Sequence, residues 1–173
     1  MIFKIIGSCI VIFSTVLCAF YIEYCDKRRI DDLEEMKKGF NLFSSSMRYT
    51  HLPLDEVMKD ISKRLSGVSA EVFGKTGDYL FRYTFESSRE AWDKSLNEVF
   101  PNSRFSNEDI EAFKYFGKTL GYLDYENQES IGHTAIDYID LTLKSLRERF
   151  EKMRKLYRSM GVLSGLLVVI ILF

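Results

Sequence analysis

The sequence predicts an all-α protein: a six-helix bundle with a membrane-spanning N-terminal helix and a long C-terminal helix that ends in a short apolar membrane segment. Residues 5–22 carry no formal charge over a length that suits a membrane span. Near the C terminus, apolar residues recur at coiled-coil spacing. The chain has two prolines and no Asn-Gly or Asp-Gly hairpin signal, which argues against sheets. The predicted domains are 1–25, the N-terminal transmembrane helix, 26–158, the helical bundle, and 159–173, the C-terminal membrane segment.

The N-terminal apolar segment is expected to remain in the membrane as an anchor. A cleaved signal peptide is the alternative, but Leu17 stands where a cleavage site after Ala19, or a lipoprotein site at Cys18, needs a small residue. Thr15 and Ala19 form a small-xxx-small pair of the kind that lets membrane helices pack closely. The same two residues are also compatible with an incidental spacing.

Basic residues flank both apolar segments on the side of the polar middle. They are Lys27, Arg28, Arg29, Lys37 and Lys38 after the first segment, and Lys152, Arg154, Lys155 and Arg158 before the second. The positive-inside rule, in which acidic residues carry little weight, therefore places residues 26–158 in the cytoplasm and the protein in the cell membrane.

The first two helices of the polar middle are predicted from apolar stripes at helical spacing. The first covers about 26–49 and is expected to continue straight from the membrane span. The second opens at Pro53, which suits a first helical turn, and ends at Gly67. Their inward residues are Ile30, Leu33, Met36, Phe40, Phe43 and Met47, then Leu54, Val57, Met58, Ile61 and Leu65.

A third helix is predicted from Ser69 to Phe85. Its expected inward residues are Val72, Phe73, Leu80 and Tyr83. Gly74 and Gly77 each lower helix stability by about 1 kcal/mol relative to Ala, so the sequence leaves open a break between them.

The fourth and fifth helices are predicted from their caps. Ser87 or Ser88 caps the fourth, which Pro101 closes, and Ser106 or Asn107 caps the fifth. Their expected inward residues are Ala91, Trp92, Leu96, Val99, Ile110, Phe113, Phe116 and Leu120. Short loops between such helices predict a compact bundle.

The sixth helix is predicted to be a long spine with an a/d seam of alternating three- and four-residue steps. The seam residues are Ile136, Ile139, Leu143, Leu146, Phe150, Met153, Tyr157 and Met160. Two roles stay open for this seam: packing inside the bundle, or homodimerisation of a structural coiled-coil anchor through residues 136–160. Beyond it, residues 159–173 are short for a full membrane span, and Gly161 and Gly165 offer a second helix-packing pair.

Composition and motifs point away from catalysis, cofactors and nucleic acid. The net charge of −1 lacks the basic excess that nucleic-acid binding needs. Three cysteines near the N terminus and two separated histidines show no metal-ligand spacing, so no metal site is predicted. Gly-Lys-Thr occurs at 74–76 and 117–119, but the glycine that a phosphate loop needs five residues earlier is absent. The sequence predicts no catalytic residue and no cofactor. A membrane enzyme stays the alternative that a converging polar pocket would support.

A corner between the fifth and sixth helices is the candidate interaction site. Gly121 suits a left-handed helix end, and Asp124 suits the N-cap of the spine helix. Glu126 and Gln128 are the polar members that a docking face would expose. A plain structural corner is the alternative interpretation.

Four motifs carry a resemblance to a known family. Leu120-Gly121 followed by Asp124, Asn127 and Gln128 resembles the stage III sporulation protein AB family of spore-forming bacteria. So do Leu52-Pro53-Leu54, Ala91-Trp92 and the segment 157–165, Tyr-Arg-Ser-Met-Gly-Val-Leu-Ser-Gly. The family's Thr-Pro-Leu-Pro is Thr50-His51-Leu52-Pro53 here, a departure that loosens one turn.

The resemblance implies a role beyond what the residues themselves indicate. The family belongs to a secretion-like complex at the engulfing septum, in the mother-cell membrane facing the forespore. Its helical domain is similar to the cytoplasmic domain of the type II secretion F component. The expected partners are the membrane, a secretion-type ATPase and membrane channel proteins of the same complex. A homo-oligomer also stays open.

Overall fold

A computed structural model describes residues 2–49, 52–118, 120 and 135–153. Within 2–22 it describes the side chains at positions 7, 10, 13, 14, 17, 20 and 21. The described residues form helices and turns without a strand, which confirms the all-α class. The helices are α1 Ile2–Tyr49, α2 Leu54–Arg64, α3 Gly67–Phe81, α4 Ser88–Val99, a 3-10 turn Phe100–Asn102, α5 Asn107–Gly117, and α6, described over 135–153.

Helix α1 is a single 48-residue helix, and its second half supplies one side of the bundle core. This confirms that the first helix of the polar middle continues from the apolar N-terminal segment. Each member of the predicted stripe is buried: Ile30, Leu33, Met36, Phe40, Phe43 and Met47. The described residues fall into two compact units, one over 29–143 and the other over 2–28 with 144–153.

The core of the 29–143 unit is an aromatic cluster centred on Phe40. Its ring centroid lies 4.5 Å from that of Phe116, 5.8 Å from Phe113 and 6.1 Å from Trp92. Trp92 is fully buried, and its indole Nε1 donates to the Phe113 carbonyl at 2.8 Å. Because the large side chains of α1, α4 and α5 meet here, burial of these rings is the main force that assembles the bundle.

Helix α3 differs from its prediction at both ends. It starts at Gly67, two residues earlier than expected, because extended Ser66 turns the chain at once into a glycine with φ +59°. It ends at Phe81, four residues early, because Tyr83 adopts a left-handed conformation with φ 49°. Tyr83 is therefore 91% exposed, and its predicted inward orientation is wrong.

The break left open between Gly74 and Gly77 does not occur. Both glycines lie inside α3, where they allow α2 to approach closely. A Cβ at Gly77 would lie 3.0 Å from the Asp55 carbonyl oxygen, and one at Gly74 would lie 2.8 Å from Ser62 Oγ. Close helix packing therefore offsets the low helix propensity of glycine.

The predicted caps of α4 and α5 are confirmed. The Ser87 hydroxyl accepts from the Glu90 amide at 3.2 Å. The Ser106 hydroxyl accepts from the Asp109 amide at 3.3 Å, and α5 starts at the next residue, Asn107. The predicted core residues of both helices are buried: Ala91, Trp92, Leu96, Val99, Ile110, Phe113, Phe116 and Leu120.

Helix α6 buries the first part of the predicted seam inside the 29–143 unit. Ile136, Ile139 and Leu143 are buried there. The next three seam positions, Leu146, Phe150 and Met153, are partly exposed, and Tyr157 and Met160 lie outside the described residues.

Counting only the residues that the structure describes, no helix is both long enough and apolar enough to cross a membrane. The membrane segments and the domain boundaries at 25 and 158 stay predictions.

Candidate functional site

The described part of the chain covers few of the predicted interaction residues. Gly121, Asp124, Glu126, Gln128, Gly161 and Gly165 lie outside the described residues. Thr15 and Ala19 lie in α1, but their side chains are not among those described. These eight positions stay predictions.

The most developed polar site in the described residues was missed by sequence reasoning. It is a polar junction of Arg29 in α1, Ser106 and Asp109 at the start of α5, and Tyr138 in α6. Arg29 Nη2 lies 3.0 Å from Asp109 Oδ2 and donates to Ser106 Oγ at 2.9 Å. The Tyr138 hydroxyl donates to the other carboxylate oxygen, Oδ1, at 3.0 Å.

The start of α5 explains why a carboxylate is stable in the polar junction. Asp109 has 0% exposed side-chain surface, and its Oδ2 also accepts from the Ser106 amide at 2.8 Å. Ser106 and Asp109 thus form a reciprocal capping box, and the helix dipole favours negative charge at this end. Each carboxylate oxygen has a donor, so the buried charge is compensated.

Groups of the polar junction shift the pKa values of two side chains, Tyr138 and Glu108. Burial, together with the Asp109 carboxylate, raises the pKa of Tyr138. The Ser106 hydroxyl lowers the pKa of the exposed neighbour Glu108. Because Tyr138 stays protonated and donates, the junction acts as a structural link among α1, α5 and α6 and offers no activated nucleophile.

The signal for this junction was partly visible in the sequence. The spacing of Ser106 and Asp109 is that of a capping box, with Asp in place of Glu. Arg29 lies 80 residues away from Asp109 along the chain. No sequence period links them, and their pairing depends on the tertiary fold.

The Gly-Lys-Thr triplet at 74–76 is part of a surface network between α3 and α4. Lys75 Nζ lies 3.3 Å from Glu71 and 3.2 Å from Glu98, and the Tyr79 hydroxyl donates to Glu98 at 2.9 Å. The Thr76 hydroxyl donates to the Val72 carbonyl at 2.8 Å inside the helix. This geometry is that of a continuous helix and differs from a loop that wraps phosphates.

An exposed aromatic corner follows α3. Phe81 is 62% exposed, and Tyr83 beside it is the most exposed of the large apolar side chains described. Lys59 Nζ lies 4.1 Å from the centre of the Phe81 ring. Tyr and Phe with cationic neighbours are typical of protein-binding surfaces.

This aromatic corner lies at the end of the bundle remote from residue 29. The Ser69 hydroxyl near the start of α3 donates to the Asp32 carbonyl, and further along Phe73 packs on Phe40 with ring centroids 6.2 Å apart. Helix α3 therefore runs in the same direction as the second half of α1. Its end at Phe81 therefore lies beside the end of α1 that follows Phe40, within the same 29–143 unit.

Among the described residues, no group of three or more His, Cys, Asp and Glu side chains has a metal-binding arrangement.

Comparison with known proteins decides the family. The profile of the stage III sporulation protein AB family matches residues 4–173. The chain belongs to this family. Stage III sporulation protein AB of Bacillus subtilis (strain 168) is 24% identical over 169 residues, which cover 98% of each chain. The resemblance inferred from the four motifs is thereby confirmed, and membership of the family assigns the chain to sporulation.

A solved structure of a family member agrees with the fold. The structure of Stage III sporulation protein AB, SpoIIIAB, has a TM-score of 0.67 and 22% identity, and covers 72% of this chain and 97% of its own. At this identity the likeness supports the helical architecture of the family.

Proposed function

We propose that this chain is a membrane-anchored, non-enzymatic adaptor in a secretion-like channel complex between mother cell and forespore. It links a cytoplasmic secretion-type ATPase to membrane channel components. The observation that carries the proposal is the continuity of α1. One helix contains the uncharged segment 5–22 and also the core stripe from Ile30 to Met47. A force or displacement at the bundle would reach the N-terminal segment through unbroken backbone hydrogen bonds.

The polar junction supports the adaptor role. It fixes Arg29 of α1 and Tyr138 of α6 to the same carboxylate, Asp109. These are the two helices whose sequences continue into the predicted membrane segments. A buried ion pair adds little net stability, and we infer that here it fixes the register between these two helices.

The interior of the bundle supports a non-enzymatic role. Among the described residues, the fully buried polar side chains other than Asp109 donate to helix carbonyls, whereas Ser44 Oγ and Asp93 Oδ1 are buried atoms without a hydrogen-bond partner. Ser69 donates to the Asp32 carbonyl, Thr76 to Val72 and Ser95 to Ala91. Hydroxyl groups used in this way pack in the core and donate to helix carbonyls. An enzyme would instead need polar groups that converge on a substrate cavity.

The aromatic corner supplies a docking surface for the ATPase in this proposal. Phe81 and Tyr83 are exposed at the end of the bundle remote from Arg29. In this proposal the bundle lies in the cytoplasm, where an ATPase is located.

The proposal is tested by finding on which side of the membrane the aromatic corner lies. In a chain with Cys9, Cys18 and Cys25 changed to Ser, a single cysteine is placed at exposed Thr84, next to Tyr83. Intact sporulating cells are treated with a membrane-impermeant thiol reagent, and a membrane-permeant reagent confirms that the thiol reacts. We expect labelling by the impermeant reagent only after lysis, because the corner lies in the mother-cell cytoplasm.

A second labelling position controls for a local effect of the loop around Thr84 on thiol labelling. Asn102→Cys, in the exposed turn after α4, is expected to give the same pattern. Labelling of both positions in intact cells would place the bundle outside the cytoplasm and would end the ATPase-linking proposal.

A further inference from the structure

Exposed apolar side chains are concentrated at one end of the 29–143 unit. Among its described residues, those exposed elsewhere are Tyr115 in α5 and Leu141 in α6. The other large apolar side chains that are exposed form what we call the apolar end: Tyr49, Leu52, Phe81 and Tyr83. Single exposed apolar residues are ordinary, but a group of them at one place is typical of an interaction surface.

Three segments of the chain bring these side chains to the same end. Helix α3 runs in the same direction as the second half of α1, so Phe81 and Tyr49 lie at corresponding helix ends. Helix α2 runs in the opposite direction, because its first turn lies against Gly77 and its later part against Gly74. Leu52, which directly precedes α2, therefore lies at the same end as the last turn of α3.

Tyr83 differs from the other members of the apolar end because its backbone is strained. Its φ of 49° is left-handed, and the residue is 91% exposed. The Tyr83 amide donates to the Leu80 carbonyl at 3.1 Å. The next amide, that of Thr84, donates to the Tyr79 carbonyl at the same distance of 3.1 Å. These bonds fix the backbone that carries the ring, and strain held in this way occurs mainly at binding and switch sites.

An exposed ring on a fixed backbone is suited to binding. Tyr83 is almost uncovered by its own chain, so its side chain does little for the core. A tyrosine has few rotatable bonds, and its backbone is fixed here before any partner arrives. Little conformational entropy is therefore lost when a partner covers the ring. Aromatic side chains that fill a pocket in this way supply much of the binding energy of protein interfaces.

Charge does not select the partner of the apolar end. Charged side chains of both signs, in nearly equal number, lie within four positions of its members or contact them: Arg48, Asp55, Glu56, Lys59, Asp78, Arg82 and Glu86. Lys59 Nζ lies 4.1 Å from the centre of the Phe81 ring and 3.3 Å from Asp78 Oδ1. Nucleic acid and anionic membranes select surfaces with a positive excess. The apolar end instead fits an uncharged, apolar protein surface.

We propose that Tyr83 is the anchor residue of the ATPase contact and that its ring inserts into an uncharged apolar pocket of the ATPase. The inference rests on the proposed function and names the residue and the kind of pocket through which the docking surface binds. Phe81 and Leu52 pack against the rim of that pocket. Because the contact depends on apolar burial, its affinity depends little on salt.

Photocrosslinking in sporulating cells identifies what covers the apolar end. The photoreactive residue p-benzoylphenylalanine replaces Tyr83 in the full chain, and the adducts formed on irradiation are identified by mass spectrometry. We expect an adduct with the ATPase of the complex. The matched control places the same group at Tyr115, which is 52% exposed on α5 and lies outside the apolar end. No ATPase adduct should form there.

Binding of the purified full chain, in detergent, to the purified ATPase measures the contribution of the ring. Tyr83→Ala should weaken binding about 30-fold or more, as is typical of an anchor residue. Tyr83→Phe should bind almost as well as the original chain, because the pocket is apolar. The control Tyr115→Ala should leave the affinity unchanged. Raising the salt concentration should change the affinity of the original chain about twofold or less.

Tyr83→Gly separates binding from folding. This change removes the ring and also relieves the left-handed strain of the backbone. It should therefore bind the ATPase as weakly as Tyr83→Ala while it stays folded, which unchanged emission from buried Trp92 verifies. Weak binding by this variant cannot be attributed to loss of the fold.

The results that would overturn the proposal differ from those that would end the proposed function. Equal affinities of the original chain and Tyr83→Ala would place the ATPase contact away from Tyr83 and leave the proposed function standing. An adduct at position 83 with a second copy of the chain, in place of the ATPase, would make the apolar end a self-association surface. A steep loss of affinity with salt would show a charged contact in place of an apolar pocket. An ATPase that does not bind the original chain would contradict the proposed function, and this inference would fail with it.

Discussion

Among the charged side chains described in the bundle, that of Asp109 is the least exposed to solvent. Its fully buried carboxylate pairs with a partly exposed guanidinium and also caps a helix. Removing one partner of such a pair leaves the other charge without compensation, and this is more costly than the pair itself is stabilising.

Asp109→Asn should therefore lower the free energy of unfolding by about 3 kcal/mol. Urea unfolding of the full chain in mild detergent, followed by the fluorescence of Trp92, measures this change. Asp140→Asn is the matched control, because Asp140 pairs with Lys37 at the surface and its loss should cost about 1 kcal/mol or less. Equal, small losses in the two variants would show that the polar junction does not hold the helices together.

Glu98 gives a second prediction, this time in pH. The Tyr79 hydroxyl and then the Lys75 ammonium lower the pKa of Glu98 below its ordinary value of 4.5. Since the folded state binds the proton more weakly, the contribution of Glu98 to stability is present above the unfolded pKa. It is lost as the pH falls through the folded pKa.

Glu98→Gln should be less stable than the original chain at neutral pH. The difference should shrink as the pH falls below about 4.5. Unfolding curves at a series of pH values measure it. A difference that stays constant down to about pH 3 would mean that Glu98 does not titrate with a lowered pKa.

At the scale of elements, the end of α3 combines a standard motif with an unusual residue. The Thr84 amide donates to the Tyr79 carbonyl and the Tyr83 amide to the Leu80 carbonyl, both at 3.1 Å. This is a Schellman motif, in which glycine normally occupies the left-handed position that Tyr83 takes here. A non-glycine residue in that conformation costs roughly 1–2 kcal/mol.

Tyr83→Gly should raise the free energy of unfolding by about 1 kcal/mol, because it relieves this strain. Tyr83→Ala is the control: it removes the same ring but keeps a Cβ, so it should give no comparable gain. The same Trp92 unfolding assay measures both variants. If the two variants were equally stable, the left-handed conformation would not be strained.

The helices that the sequence predicted well are those whose signals are local. The stripe from Ile30 to Met47 and the cap at Ser106 depend on helical spacing and on near neighbours, and both are confirmed. The end of α3 was predicted too late, because Tyr83 gives no glycine signal. The pairing of Arg29 with Asp109 was missed, because only the tertiary fold brings distant residues together.

At the scale of the whole molecule, the burial of the α6 seam bears on its two predicted roles, which are packing inside the bundle and homodimerisation through residues 136–160. Ile136, Ile139 and Leu143 are buried within the 29–143 unit. They are therefore not available on the surface for a second chain. A dimer through residues 136–160 would therefore have to use the later seam positions, of which Leu146, Phe150 and Met153 are partly exposed.

A fragment of residues 27–157 should therefore sediment as a monomer at micromolar concentration. Analytical ultracentrifugation measures its mass, and Leu143→Asp is the informative variant. That change should unfold the monomer, because it places a charge in the core. A dimer that Leu143→Asp dissociates into folded monomers would support the homodimer alternative.

The pairing of α1 with α6 also has a consequence during synthesis on the ribosome. The second half of α1 is translated early, whereas Asp140, the α6 residue that pairs with Lys37, follows 103 residues later. At bacterial rates this interval is on the order of 5–20 s. For most of this interval, until Phe116 has been made, the nascent chain exposes Phe40 and Phe43 without their full set of ring partners. Chaperones, or early insertion at the membrane, would have to protect the nascent chain until these ring partners have been made.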